Sequence, residues 1–248
     1  MMKRAILLLI CALAGYGQAV SQPPRYEVSS VKPINGVYPY RFRIEPDGAL
    51  AAESITLRRL MMTAWNVQDF RIVGGPDWVS SRRWDVQAKP ERAAASIDEI
   101  HQMLRTMLED RFQLRARPES RNSPLYELVV DGKGSKVPRP KDREAQPTVQ
   151  GAAGFLHLTR ATSATFASQL SYSLARPVID RTSLSGEFDF AVHWTPQPED
   201  RQPGEPAAPA DGPDIFTAIP EQLGLRLIPG RGPVEVIVID RAELPTAN

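Results

Sequence analysis

Leu108–Asp131 reads LEDRFQLRARPESRNSPLYELVVD, and Ile219–Asp240 reads IPEQLGLRLIPGRGPVEVIVID. The relation between these two stretches decides the fold. Leu114-Arg115 matches Leu225-Arg226, Pro118 matches Pro229, Pro124 matches Pro233 and Asp131 matches Asp240, with the intervening turn two residues shorter in the second copy. Working outward, Thr56-Leu57 and Thr165-Phe166 each open an amphipathic run, and Trp84-Asp85-Val86 matches Phe188-Asp189-Phe190. One such match could arise by chance. A series in the same order along both halves predicts an internal duplication.

The periodicities fill in the units. Leu57, Leu60, Met61, Ala64 and Trp65 fall at helical spacing, as do Ile97, Ile100, Leu104, Leu108 and Phe112 behind a Ser96/Glu99 capping box. Phe166, Leu170 and Leu174 mark a third helix. A fourth lies within Asp214–Leu223, stopped by Gly224. Pro220 predicts that this last helix starts late or kinks, because a proline inside a helix removes a hydrogen bond at a cost of about 3 kcal/mol. Alternating strands are predicted around residues 42–44, 70–72, 84–86, 125–130, 188–192 and 234–239. The last two strands of each half look like hairpins joined through Arg/Gly/Pro turns. Each half then reads strand–helix–strand–strand–helix–strand–strand. The fold class is α+β, with small mixed or antiparallel sheets carrying helices on one face, either one to each unit or a single shared sheet with the halves related by a pseudo-twofold. The first repeat spans residues 25–131 and the second 154–245. Residues 132–153, and an insert at 195–213, are so rich in Pro, Gly and charge that they are expected to be mobile.

The chain opens MMKRAILLLICALAGYGQAVSQ. A basic start, a short apolar run and small residues before Val20 predict a secretory signal peptide over residues 1–19, since the run is too short to cross a bilayer. The mature chain then has no transmembrane segment and is secreted or periplasmic. Cys11 is the only cysteine, so the mature chain has no disulfide. A net charge of +1 gives no basic excess for nucleic acid.

The tetrapeptide VIDR occurs at Val178–Arg181 and at Val238–Arg241. The two copies occupy different places in the repeat. Each puts Asp and Arg at a strand exit, where an Asp side chain favours a turn. The competing reading is a paired Asp/Arg surface for a ligand carboxylate or a partner, which makes Asp180, Arg181, Asp240 and Arg241 the binding candidates. Trp78, in a turn after Gly-Gly-Pro-Asp, is the tryptophan to test for exposure.

No catalytic pattern emerges. His101, His157 and His193 lie on different elements without metal-ligand spacing, and no metal or cofactor is expected. Ser29-Ser30-Val31-Lys32 matches S-x-x-K, but Pro33 disfavours the helix that would join Ser and Lys. No G-x-S-x-G elbow and no phosphate-cradling glycine loop is present.

YEVSSVKP (Tyr26–Pro33), ITLRRLMMTAWNV (Ile55–Val67), GGPDW (Gly74–Trp78), MLEDRFQL (Met107–Leu114), DRTSLSGEFDF (Asp180–Phe190) and GPVEVIVIDRAELPTAN (Gly232–Asn248) together resemble the signature blocks of a family of secreted soil-associated proteins. That family is expanded in acidobacteria and carries a domain of unknown function. The resemblance implies secretion and a shared fold but no reaction. In some relatives a similar domain follows a membrane metallopeptidase of the antibiotic-sensor type, which points toward sensing or binding. Where the family commonly has Thr-Gly-Leu, this chain has Thr182-Ser183-Leu184, so a positive φ at that place would strain Ser183. The resulting expectation is a non-catalytic extracytoplasmic binding or interaction module, sensory roles included, for a protein, peptide or glycan. The alternative is a hydrolase with its site between the repeats.

Overall fold

The computed structural model describes residues 25–36, 38–94, 96–196 and 212–245. The expected signal peptide lies outside them, as do residues 197–211 of the proline-rich insert. In chain order come β1 (Tyr26–Pro33), β2 (Arg41–Ile44), β3 (Leu50–Thr56), α1 (Leu57–Trp65), β4 (Ile72–Gly74), α2 (Trp78–Ser81), β5 (Arg83–Pro90), α3 (Ile97–Phe112) and β6 (Arg115–Val130). Then follow β7 (Thr148–Ala152), β8 (Phe155–Ala161), α4 (Ser163–Ser173), β9 (Val178–Asp180), β10 (Phe188–His193), α5 (Ile215–Leu223) and β11 (Leu225–Arg241). The architecture is α+β, with one sheet ordered β1-β5-β3-β2, a second β10-β8-β7 and a third β4-β11-β6-β9.

The similar stretches within Leu108–Asp131 and Ile219–Asp240 pair with each other. Instead of forming separate hairpins, β6 and β11 are continuous strands of 16 and 17 residues. They run antiparallel from Leu225 opposite Val130 to Arg241 opposite Arg115. The ladder is on the order of 50 Å long at about 3.3 Å per residue. Prolines suggested turns here, yet the register accommodates them. Pro229, Pro233 and the partners of Pro124 and Pro118 (Arg231 and Ile237) are spaced along β11 by even numbers of residues. All four prolines therefore share one class of pair, the one whose N–H points away from the partner strand. Tyr126, opposite Pro229, shows the outward direction: its N–H donates to Pro177 O at 2.8 Å. Short parallel strands flank the ladder, β4 along Ile237–Ile239 of β11 and β9 along Tyr126–Leu128 of β6.

The ladder joins two lobes and contributes to both cores. In lobe one, α1 and α3 pack with β1, β3 and β5 around Leu57, Leu60, Trp84, Leu104 and Phe112, and Ile237 and Ile239 from the end of β11 belong to the same cluster. In lobe two, α4 and α5 pack with β8 and β10 around Phe166, Leu170, Phe190 and Ile219, and Leu128 from β6 joins them. Each half of the chain thus supplies core side chains to the lobe built mainly by the other.

Helix ends follow local chemistry. Thr56, Ser96, Thr162 and Asp214 each accept an N–H three residues on, at 3.2, 3.2, 3.1 and 2.7 Å. Of the two outcomes expected from Pro220, a late start or a kink, the late start does not occur: α5 begins at Ile215 and carries Pro220 inside it. The carbonyl that Pro220 leaves without its donor is that of Phe216, an exposed residue. The strand expected at 70–72 begins only at Ile72, after a 3-10 turn over Asp69–Arg71. Arg58 imposes that turn by donating to the Asp69 carboxylate at 2.6 Å and to the carbonyls of Asp69 and Ile72 at 2.7 and 2.9 Å.

The stretch 132–153, expected to be a mobile connector, contains β7 and lies along lobe two. Lys136 N donates to Leu223 O, Asp189 N to Pro138 O, and the Arg139 guanidinium lies 4.2 Å from the Phe188 ring centre. Gly224 is tied to this crossing: a Cβ there would lie 2.2 Å from Gly134 O.

Both halves contain the same backbone irregularity. Ser54 (φ 56°) in β3 and Arg160 (φ 51°) in β8 interrupt the register with β5 and β10. Asp85 Oδ1 accepts Ser54 N–H and Asp189 Oδ1 accepts Arg160 N–H, each at 3.0 Å. A carboxylate on the neighbouring strand thus stabilises each bulge.

Candidate functional site

The structure separates the residues singled out from sequence. Asp180 ends β9 beside Leu128, whereas Asp240 and Arg241 end β11 beside Arg115–Arg117. Twelve residues of β6 separate Leu128 from Ala116, so the two VIDR copies stand on the order of 40 Å apart. A common site built from Asp180, Arg181, Asp240 and Arg241 is excluded by that distance.

Individually, these groups are engaged by their neighbours. Asp180 Oδ2 accepts Ser163 Oγ–H at 2.6 Å, and Oδ1 accepts Thr182 N–H at 2.9 Å and Thr182 Oγ1–H at 2.7 Å. Asp180 also lines a groove of about 350 Å³ between the lobes, with Arg71, Ser168 and Glu235. Arg181 faces Glu127 at 3.6 Å, Asp240 faces Arg117 at 3.3 Å, and Arg241 pairs with Glu243. Trp78 is half-buried, edge-on to Trp84 at 6.5 Å and stacked on Phe112 at 6.4 Å, as part of the lobe-one core wall.

The turn after Asp180 carries the strain anticipated for a Ser in place of Gly, since Ser183 has φ 56°. A left-handed residue with a Cβ costs about 1–2 kcal/mol. Ser183→Gly should therefore raise the melting temperature by roughly 2–4 °C, reduced somewhat by glycine's greater entropy when unfolded. A thermal scan showing no rise would mean that the Ser183 side chain compensates its backbone.

A cleft lies in lobe one, where the loop after β1 passes the end of β2. It measures about 540 Å³ and is lined by Pro33, Tyr38, Pro39, Arg41, Glu53 and Asp85, among others. Tyr38 is 58% exposed. Next to it, Tyr40 stacks on Phe42 with ring planes 8° apart, and the Arg59 guanidinium lies 4.5 Å from the Tyr40 ring centre. The cleft's carboxylates already have partners: Asp85 holds Ser54 N–H, and Glu53 pairs with Arg41 at 3.4 Å. β2 bonds to β3 and ends the sheet order, so no described strand pairs with its other edge. Sequence reading missed this cleft because Tyr38 and Pro39 lie outside any periodic run. The signal available was two tyrosines flanking a proline beside an alternating strand.

Sequence reading also missed an imidazole pair. His157 on β8 and His193 on β10 are 36 residues apart, yet their Nε2 atoms are 2.9 Å apart. The available signal was that each histidine follows a core residue, Leu156 or Val192, on its strand.

The model of the family described as protein of unknown function DUF3738 matches residues 58–242. The chain belongs to the DUF3738 family. No curated protein and no solved structure matches it. The DUF3738 match runs from α1 to the end of the long ladder, so it includes Asp180, the imidazole pair and both strands of the ladder. Of the cleft's lining only Asp85 falls within it. Among the described residues, no helix of this DUF3738 protein is long and apolar enough to cross a membrane.

Proposed function

We propose that this DUF3738 protein is a non-catalytic binding module acting outside the cytoplasm, and that its lobe-one cleft and the adjoining β2 edge take an extended peptide segment. The observation that carries this reading is Tyr38, largely exposed, at a cleft beside an edge strand that no described strand pairs with on its other side. Tyrosines are enriched among the residues that anchor binding interfaces. An edge strand offers main-chain hydrogen bonds to an added strand. The cleft's acidic side chains are held by the fold's own donors, which favours recognition over proton transfer. We read the two halves as copies of one unit, supported by the shared order β3-α1-β4-β5-α3-β6 and β8-α4-β9-β10-α5-β11 and by the matched Asp85 and Asp189 bulge bonds. Secretion rests on the sequence of residues 1–19.

The competing hydrolase reading draws on Asp180 in the interlobe groove. Both its oxygens already accept hydrogen bonds from Ser163 and Thr182, which disfavours a role as base.

The purified protein should be applied to arrays of extended peptides and of glycans, beside Tyr38→Ala/Tyr40→Ala and in parallel with a panel of hydrolase substrates. The expected result is peptide binding weakened by about tenfold or more in the variant, as for loss of an aromatic anchor. Binding that is unchanged in the variant, glycan binding without peptide binding, or turnover abolished by a single Asp substitution would overturn the proposal.

A further inference from the structure

β8 and β10 lie side by side and antiparallel, with Ala191 opposite His157 and Phe155 opposite His193. Leu156, Leu158 and Val192 point into the lobe-two core, so His157 and His193 project from the outer face of the sheet. Their rings stand 4.5 Å apart at 75°, with the Nε2 atoms facing each other at 2.9 Å. Both rings are braced. Phe155 lies 5.3 Å from the His157 ring and 6.4 Å from the His193 ring. Gln222 on α5 holds the His193 backbone from both sides, accepting its N–H at 2.9 Å and donating to its carbonyl at 2.7 Å.

We propose that His157 and His193 form a surface site for a divalent transition-metal ion that prefers imidazole nitrogen, Cu(II) above Ni(II) and Zn(II). The geometry supports it. A metal–imidazole bond is about 2.0–2.1 Å long, so two such bonds at a right angle place the nitrogens about 2.9 Å apart, and at a tetrahedral angle about 3.3 Å. The observed separation matches the right-angled arrangement, the geometry favoured by Cu(II) and Ni(II). Cu(II) also stands highest in the affinity order for nitrogen sites. A hydrogen bond between a half-buried imidazole, His157, and an exposed one, His193, adds little that water could not supply. The bracing by Phe155 and Gln222 instead fixes two ligands in advance, which lowers the entropy cost of chelation.

The protons balance without exchange with solvent overall. In the metal-free pair one Nε2 carries a proton and donates it toward the other. Metal binding needs both Nε2 lone pairs, so the donor ring's proton moves to its own Nδ1. Both rings stay neutral, and two waters leave the ion as two metal–nitrogen bonds form. Among the described residues no group of three or more His, Cys, Asp and Glu could hold a metal. The site therefore supplies two ligands and leaves the remaining positions to water or to a ligand brought by a partner.

The test is titration of the purified, untagged protein with copper, nickel and zinc chloride in separate runs, followed by calorimetry, with electron paramagnetic resonance on the copper sample. One equivalent of copper should bind most tightly, and its spectrum should show coupling to two nitrogen donors. His157→Ala and His193→Ala should each weaken copper binding by on the order of tenfold or more, since each leaves a single anchor. His101→Ala, on α3, should leave it unchanged. Thermal melts establish that the variants are folded, and His193→Gln provides a second, conservative removal of the ligand. Absence of binding by all three ions would overturn the proposal. So would copper affinity unaffected by both substitutions in folded protein, or affinity lost with His101→Ala.

Discussion

Trp84→Ala should destabilise the protein by about 3–5 kcal/mol, the range for removing a fully buried aromatic. At about 2–4 °C per kcal/mol in a chain of this size, the melting temperature should fall by roughly 10 °C or more. Trp84 is 1% exposed, meets Phe112 edge-on at 5.4 Å and lies beneath Trp78. Trp84→Phe should be far milder than the lost volume implies. The indole Nε1–H of Trp84 is buried with no hydrogen-bond partner among the described residues. An orphaned buried donor costs about 1–3 kcal/mol, and phenylalanine removes it. In lobe two a phenylalanine, the buried Phe188, precedes Asp189 as Trp84 precedes Asp85 in lobe one. Thermal unfolding of the two variants side by side checks this. Equal losses for Phe and Ala would contradict this, since the retained phenylalanine ring would then recover none of the lost packing.

The second large effect is at Asp180. Asp180→Ala removes the acceptor for both donors of Thr182, which is 7% exposed, and the nearer of two acceptors for Ser163 Oγ–H, which also reaches Leu184 O at 3.2 Å. Stranding such donors should cost about 2 kcal/mol at neutral pH, or a fall of roughly 4–8 °C. The pH dependence has a definite sign. Burial on its own would raise the Asp180 carboxyl, but the hydrogen bonds from Ser163 and Thr182 together outweigh it and hold the group below its ordinary 3.8. A carboxyl depressed in the folded state contributes stability that is fully present above its unfolded value and disappears as pH falls through the folded one. The gap between wild type and Asp180→Ala should therefore stay constant from pH 5 to 8 and close below about pH 4. A gap that persists undiminished in acid would assign the loss to packing, and an unchanged or raised melting temperature would restore Asp180 as a ligand-binding group.

The helices were legible because their signals are local. Leu57, Leu60, Met61 and Ala64 are spaced as a buried stripe and are buried, and Ser96 caps α3 through Glu99 N–H as the capping box required. The ladder was visible as similarity but not as pairing. Pro118, Pro124, Pro229 and Pro233 are turn-formers by local chemistry, and only the register with the other strand, more than a hundred residues away, makes them acceptable in a strand. The stretch 132–153 shows the same limit of local signals. Residues 132–153 have little apolar content of their own, and they are held by backbone bonds to Leu223 and Asp189 that composition does not reveal. Of the candidate binding residues, Asp180 accepts Thr182 N–H two residues on, a local bond of the kind its place at a strand exit favours. The cleft and the imidazole pair could not be assembled from sequence, since each depends on which strands lie side by side.

Underlying these expectations is the claim that the two lobes are one cooperative unit, since Ile237 and Ile239 close lobe one while Leu128 closes lobe two. Native-state hydrogen exchange on wild type and Trp84→Ala tests it most directly. The slowest amides of β5 in lobe one and β8 in lobe two should exchange with the same opening free energy, and Trp84→Ala should lower both by the same amount. If β8 keeps its wild-type protection while β5 loses its own, the lobes unfold independently and the shared ladder does not couple them.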